Sequence, residues 1–259
     1  MSWAATPGSQ EEQVGRLILA GLICVFLPQL PLLNYLFYPF VILTTWFHEM
    51  GHGVTAMAIG YSFDQLVIFP DGSGLAQSSA EGRPSAIGRA LISAGGPLGP
   101  VAIGSVLILA SSREKYWRPA LMTIAVLIGI SVLIWVRSLV GVIVLPLVGA
   151  GLVWLALRAD DGWVRFSVQF LGVLAALSMF RDWDYLFSEG AVIGGVPQLS
   201  DTGNIEQALF LPYWVWAIVI TGISAVMVGA SLKYALNPKR PGSPPRPPKR
   251  RDNVIRGDF

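Results

Sequence analysis

Apolar residues in this chain come in long unbroken blocks, without the alternation or the three-to-four spacing of elements that show one face to water. A helical block of about 20 residues crosses a bilayer, and such blocks run roughly over 17–34, 36–60, 85–110, 119–136, 139–157, 163–186 and 211–236. The pattern predicts about six to seven transmembrane helices. Their softest boundaries lie at Pro28 and Pro31, between the first two blocks, and at Arg137 and Ser138, between the fourth and fifth. Two segments break the helical pattern. In "YSFDQLVIFPDGSGLAQSSA", residues 61–80, β-branched and aromatic residues flank Pro70-Asp71-Gly72-Ser73-Gly74, which is turn chemistry between two short strands. A small β-hairpin is expected there. From Asn237 onward prolines and basic residues replace the apolar ones, so the tail 237–259 has nothing to bury and is expected to stay extended or disordered. The expected architecture is an all-α polytopic membrane protein: a polar segment over 1–16, a transmembrane domain over 17–236 with its hairpin, and the basic tail.

Composition supports this reading. Of 259 residues, 53% are hydrophobic and 13% charged, a balance that soluble domains do not show. The lipid bilayer is therefore an expected partner and nucleic acid is not; the oligomeric state is left open. Glu11 and Glu12, rather than a basic cluster, precede the first block, so it is expected to remain as an anchor and not to be cleaved as a signal peptide. Cys24 is the only cysteine, which rules out an internal disulfide and a multi-thiolate metal site. The tail sets Lys239, Arg240, Arg246, Lys249, Arg250, Arg251 and Arg256 against Asp252 and Asp258, which places it in the cytoplasm by the positive-inside rule. Seven spans then put the N-terminus, the hairpin and the acidic loop after Phe187 outside, and the loop bearing Arg113, Lys115 and Arg118 inside. The expected location is the cytoplasmic membrane of a bacterial cell.

Candidate chemistry is concentrated in "TTWFHEMGHGV", residues 44–54, which holds both histidines of the chain, His48 and His52. Four residues apart on a helix, they stand one turn apart on one face, offset by about 40°, so two imidazoles can hold one metal ion. Glu49, beside the first, can reach a water on that ion. This is His-Glu-x-x-His, in which zinc lowers the pKa of its water and the glutamate takes the proton. An ionisable group within a span costs at least about 2.5–3.5 kcal/mol on insertion scales, a cost that a bound ion offsets. A catalytic zinc takes three protein ligands and keeps one position open. With no third histidine, the last ligand is expected to be a carboxylate near the end of the sixth span, which emerges on the same side as the motif. Asp182 is the first choice and Asp184 the second, since residues two apart on a helix point about 200° apart and only one can face the site. Asp182 could instead pair with Arg181. Asp160 and Asp161 fall on the opposite side. Asp71, in a turn, and Asp201, in a loop, are on the correct side but on less rigid supports.

Together these residues resemble the zinc-dependent intramembrane metallopeptidases of the site-2 protease type, in the compact branch without a PDZ domain. The resemblance rests on "HEMGH" at 48–52, "PDGSG" at 70–74, "GGPLGP" at 95–100 and an aspartate near the end of a later span, and it covers roughly residues 36–210. It implies zinc held by two histidines and one aspartate, glutamate as general base, and membrane-protein substrates cut within or near the bilayer. Those roles fall on His48, His52, Asp182 or Asp184, and Glu49. The chain departs from the family in lacking the Leu-Asp-Gly stretch that follows an Asn and Pro signature in better-known members; Asp161-Gly162 matches in letters but lies on the wrong side. Gly95, Gly96, Gly99 and Gly104 are expected to let the third span pack closely against the zinc helix. The hairpin could lend an edge to an unwound substrate strand or cap the site. A non-catalytic zinc-binding scaffold or regulator is the alternative to an enzyme. A transporter is disfavoured, because outside 48–52 the spans are nearly free of charge.

Overall fold

The computed structural model describes residues 10–30, 32–82 and 85–237; the basic tail from residue 238 and the first nine residues of the polar segment lie outside them. Seven long helices correspond to the seven apolar blocks: α1 (Gln10–Phe26), α2 (Leu33–Ala58), α3 (Ala86–Ser111), α4 (Trp117–Ile134), α5 (Leu139–Arg158), α6 (Asp161–Arg181) and, late in the chain, α9 (Tyr213–Ala235). Between α2 and α3, strands β1 (Ser62–Ile68) and β2 (Gly74–Ser79) form the expected antiparallel hairpin. Between α6 and α9 come a one-turn helix α7 (Trp183–Leu186), a second antiparallel hairpin of β3 (Gly190–Ile193) and β4 (Val196–Leu199), and the short helix α8 (Asp201–Ala208).

Burial separates the core helix from those that face lipid. Within α6, 67% of the apolar window is buried inside the protein, against 22% for α4, 28% for α5 and 22% for α9. Leu133, Leu147 and Val226 on those outer helices are largely exposed, as suits a surface whose solvent is hydrocarbon. Small residues bring the core helices together: a Cβ on Gly104 of α3 would stand 2.6 Å from the Ala176 nitrogen of α6. The Trp46 indole of α2 donates to the Ser131 hydroxyl of α4 at 2.8 Å, which satisfies a polar group that hydrocarbon cannot.

The number of crossings is smaller than the number of apolar blocks. Helices α3, α4, α5, α6 and α9 are long and apolar enough to span singly, while α1 and α2 form one pair bent by 116° and count as at most one further span. Pro28 lies within a short 3-10 turn, Leu27–Gln29, at that bend. This corrects the seven-span orientation. Gln13 of α1 donates to the carbonyl of Ala235 at the end of α9 at 3.3 Å, and Arg16 to that of Gly162 at the start of α6 at 2.8 Å. Both ends of the described chain therefore lie on one face, with Arg118 and its partner Asp161. The opposite face holds both hairpins, the start of α3 and the end of α6.

Candidate metal centre

The first hairpin lies along α2 in register with the motif. A Cβ on Gly72 would stand 2.9 Å from the Val41 side chain, one on Gly74 would stand 2.7 Å from Glu49 Cγ and Oε1, and one on Gly53 would fall on the Phe63 ring. The outer edge of β1 is occupied: Leu66 N–H donates to the Trp135 carbonyl and Arg137 N–H to the Leu66 carbonyl, each at 2.8 Å. Leu66 faces Ala76 in the ladder. Its backbone groups point away from β2, so this is a non-hydrogen-bonded pair, and Ala76 must point its own groups outward. The Ala76 N–H accordingly reaches the Glu49 carboxylate, which is buried, at 5% exposure.

Against the other side of the motif, α3 closes in on bare backbone. A Cβ on Gly99 would stand 2.9 Å from the Gly51 Cα, one on Gly95 would fall on Thr55, and one on Gly96 would fall on the His52 ring and stand 2.7 Å from His48 Nε2. Gly95, Gly96 and Gly99 thus serve the close packing expected of them, whereas Gly104, expected to do the same, packs against α6. Helix α3 runs unbroken through Pro97 and Pro100. The Ile92 carbonyl accepts a hydrogen bond from His52 Nδ1 at 2.7 Å, which fixes the tautomer and leaves Nε2 free to bind a metal.

The third group is Asp201. His48 Nε2 lies 3.0 Å from Asp201 Oδ2, His52 Nε2 lies 3.2 Å from Oδ1, and the two imidazole nitrogens are 3.2 Å apart. A tetrahedral centre with bonds of about 2.0–2.1 Å separates its ligand atoms by about 3.3 Å, and each imidazole nitrogen stands at about that distance from the other and from one of the two Asp201 oxygens. Asp201 Oδ2 is buried without a hydrogen-bond partner, which leaves its lone pairs for an ion to take up. The donor set therefore fits a divalent ion, and among the described residues it is the one group of three or more such side chains that does. Around the centre is a cleft of about 310 Å³, lined among others by Thr45, Glu49, Asp71, Ser73, Tyr185 and Val192. The hairpin tips meet over it, where Gly194 N–H donates to Ser73 Oγ at 3.2 Å.

Asp182 and Asp184, the carboxylates expected beside the histidines, are not the ones brought there. Asp182 caps α6, pairs with Arg181 at 3.3 Å and is 41% exposed at the rim of the cleft; Asp184 points to the exposed surface of α7. Asp71 is committed to its own turn, accepting from Ser73 N–H at 2.9 Å and Ser73 O–H at 2.7 Å. Asp201 sits on a firmer support than a loop. Ser200 caps α8 by accepting from Gly203 N–H at 3.0 Å, its N–H donates to the Glu189 carbonyl at 2.9 Å, and Thr202 O–H donates to the Leu186 carbonyl at 2.8 Å. The second hairpin was hidden within what reads as an acidic loop, although Gly194-Gly195 between apolar residues carries its signal: both glycines have positive φ, 57° and 81°, as two-residue hairpin turns require.

No curated protein and no solved structure matches the chain. The Peptidase M50B-like model matches residues 17–231, a region that takes in α2, both hairpins and α8 and leaves only a short connection between α2 and α3. With the motif, the hairpin and the glycine-lined third helix inside that match, the chain belongs to the Peptidase M50B-like family of site-2 protease-type membrane metallopeptidases.

Proposed function

We propose that this protein is a zinc-dependent intramembrane endopeptidase that hydrolyses peptide bonds of membrane-embedded substrates, with His48, His52 and Asp201 as the zinc ligands and Glu49 as the general base. The observation that carries the reading is the convergence of two imidazole nitrogens and the Asp201 carboxylate, each imidazole 3.0–3.2 Å from one of its oxygens, with a buried carboxylate on the residue adjoining His48. Zinc, when bound, supplies the Lewis acidity that acidifies water and polarises a substrate carbonyl. Glu49 takes the proton of the attacking water on its carboxylate and returns it to the leaving nitrogen. The Ala76 N–H steadies that carboxylate, and Ile92 holds His52 in the ligating tautomer. A helical peptide bond is shielded and has to be extended before attack. The free edge of β2, which passes Glu49, offers backbone partners for such an extended segment.

The test is Glu49→Gln, purified with chelator-free zinc and incubated with single-span peptides whose fragments are read by mass spectrometry. The variant is expected to bind one zinc per chain and to cut nothing. Cleavage at the wild-type rate would remove Glu49 from the mechanism. A zinc-loaded wild type that cuts no peptide would leave a scaffold in place of an enzyme.

A further inference from the structure

The cleft beside Glu49 has a counterpart at the other end of β2. A second cavity, of about 270 Å³, is lined by Tyr61, Ser78, Ser79, Arg89, Asn204 and Gln207 together with apolar neighbours. Ile92 also lines it and supplies the carbonyl bonded to His52, so the cavity adjoins the metal centre. Helix α8 contributes to both, with Asp201 on its first residue and Asn204 and Gln207 on the turns that follow. Strand β2 joins the two cavities: Gly74 at its start lines the cleft and Ser78 near its end lines this cavity.

We propose that this cavity is a substrate subsite that receives a carboxylate of the bound segment on Arg89. The proposal rests on the proteolytic reading above and adds a substrate preference to it. Its lining is rich in hydrogen-bond donors, with hydroxyls of Tyr61 and Ser78 and amides of Asn204 and Gln207, and contains no acidic side chain. Asp64, on the neighbouring strand, is engaged by the Ser79 hydroxyl at 3.0 Å. Among the described residues the Arg89 guanidinium forms no ion pair. The cleft at the other end of β2 differs in having carboxylates in its lining, Asp71 and an Asp182 paired with Arg181. Backbone groups alternate along a strand, so Gly74, Ala76 and Ser78 all face the edge away from β1, where the Ala76 N–H is held by Glu49 and the Gly74 and Ser78 groups flank it. A segment paired there lies with its scissile bond near Ala76 and Glu49. At about 3.4 Å per residue, the side chain that reaches Arg89 is about two to four residues from that bond.

The experiment walks one Glu, Gln or Lys through those positions on either side of the scissile bond of a cleaved peptide. Cleavage by the wild type is measured, and so is binding, by fluorescence anisotropy, to zinc-loaded Glu49→Gln with and without Arg89→Glu. Glu is expected to exceed Lys by about tenfold at one position, as one charge-assisted arginine bond gives, with the order reversed by Arg89→Glu. Peptides ending at that position, with free or amidated C-termini, separate a terminal carboxylate from a side chain, and preference for either supports the site. If Arg89→Glu fails to load zinc, Arg89→Gln is used, and it is expected to flatten the ranking. An unchanged ranking with Glu49-dependent cleavage intact overturns the subsite and leaves the protease. Charge reversal in binding without any cleavage supports the subsite and overturns the protease.

Discussion

Gly96→Ala tests the metal centre without replacing any of its residues. A Cβ at this position would stand 2.7 Å from His48 Nε2 and fall on the His52 ring, where ordinary contact begins at 3.4 Å; the shortfall at His48 alone is 3.4 − 2.7 = 0.7 Å. Helix α3 has no room to relieve it, because Gly95 and Gly99 on adjoining turns rest on α2 and Gly104 rests on α6. Overpacking of this kind costs about 1–3 kcal/mol, and ligands displaced by more than about 0.5 Å no longer hold their ion well. Zinc affinity is expected to fall about 10–100-fold, the equivalent of about 1.4–2.8 kcal/mol. Competition against a chromophoric chelator in detergent measures it. Gly129→Ala serves as control, since nothing lies within 4 Å of its Cβ. If Gly96→Ala binds zinc within twofold of both the control and the wild type, the packing argument fails.

The remaining predictions concern the proposed third ligand and its support. Asp201→Asn is expected to lower zinc affinity by more than the roughly 10–100-fold lost when a partner one bond removed from the metal is deleted, whereas Asp182→Asn should leave it within threefold; the same chelator competition ranks the two, and the reverse order would return the ligand to the end of α6. Ser200→Ala removes the cap of α8, which is worth about 1 kcal/mol. Hydrogen exchange at Thr202 to Ile205 should quicken about fivefold, and unchanged protection there would show that the hairpin, not the cap, holds Asp201. Glu49→Gln separates binding from catalysis, as described above.

Much of the fold was legible because membrane helices announce themselves locally. A span must be a long apolar block, and each of the seven blocks became a helix. The first hairpin was equally legible from "PDGSG" between β-branched runs. What composition could not reveal was that α1 and α2 meet at a sharp bend, since a break at a proline reads alike whether the chain exits the bilayer or turns within it. The second hairpin was missed although Gly194-Gly195 marks it, because its four-residue strands are too short to impose an alternating pattern of their own.

The sequence by itself determined that His48 and His52 share one face of a helix with Glu49 beside them, because a spacing of four is a property of the backbone helix and needs no tertiary contact. Only the tertiary structure decided which carboxylate completes the group. Asp201 is about 150 residues away along the chain, and it reaches the histidines because Ser200, Thr202 and the second hairpin fold the start of α8 back against α3 and the motif. Asp182 is closer in sequence and at a plausible depth, yet the end of α6 turns it toward Arg181. Membrane depth is set by counting residues; the direction in which a side chain points at that depth is set by what packs around it.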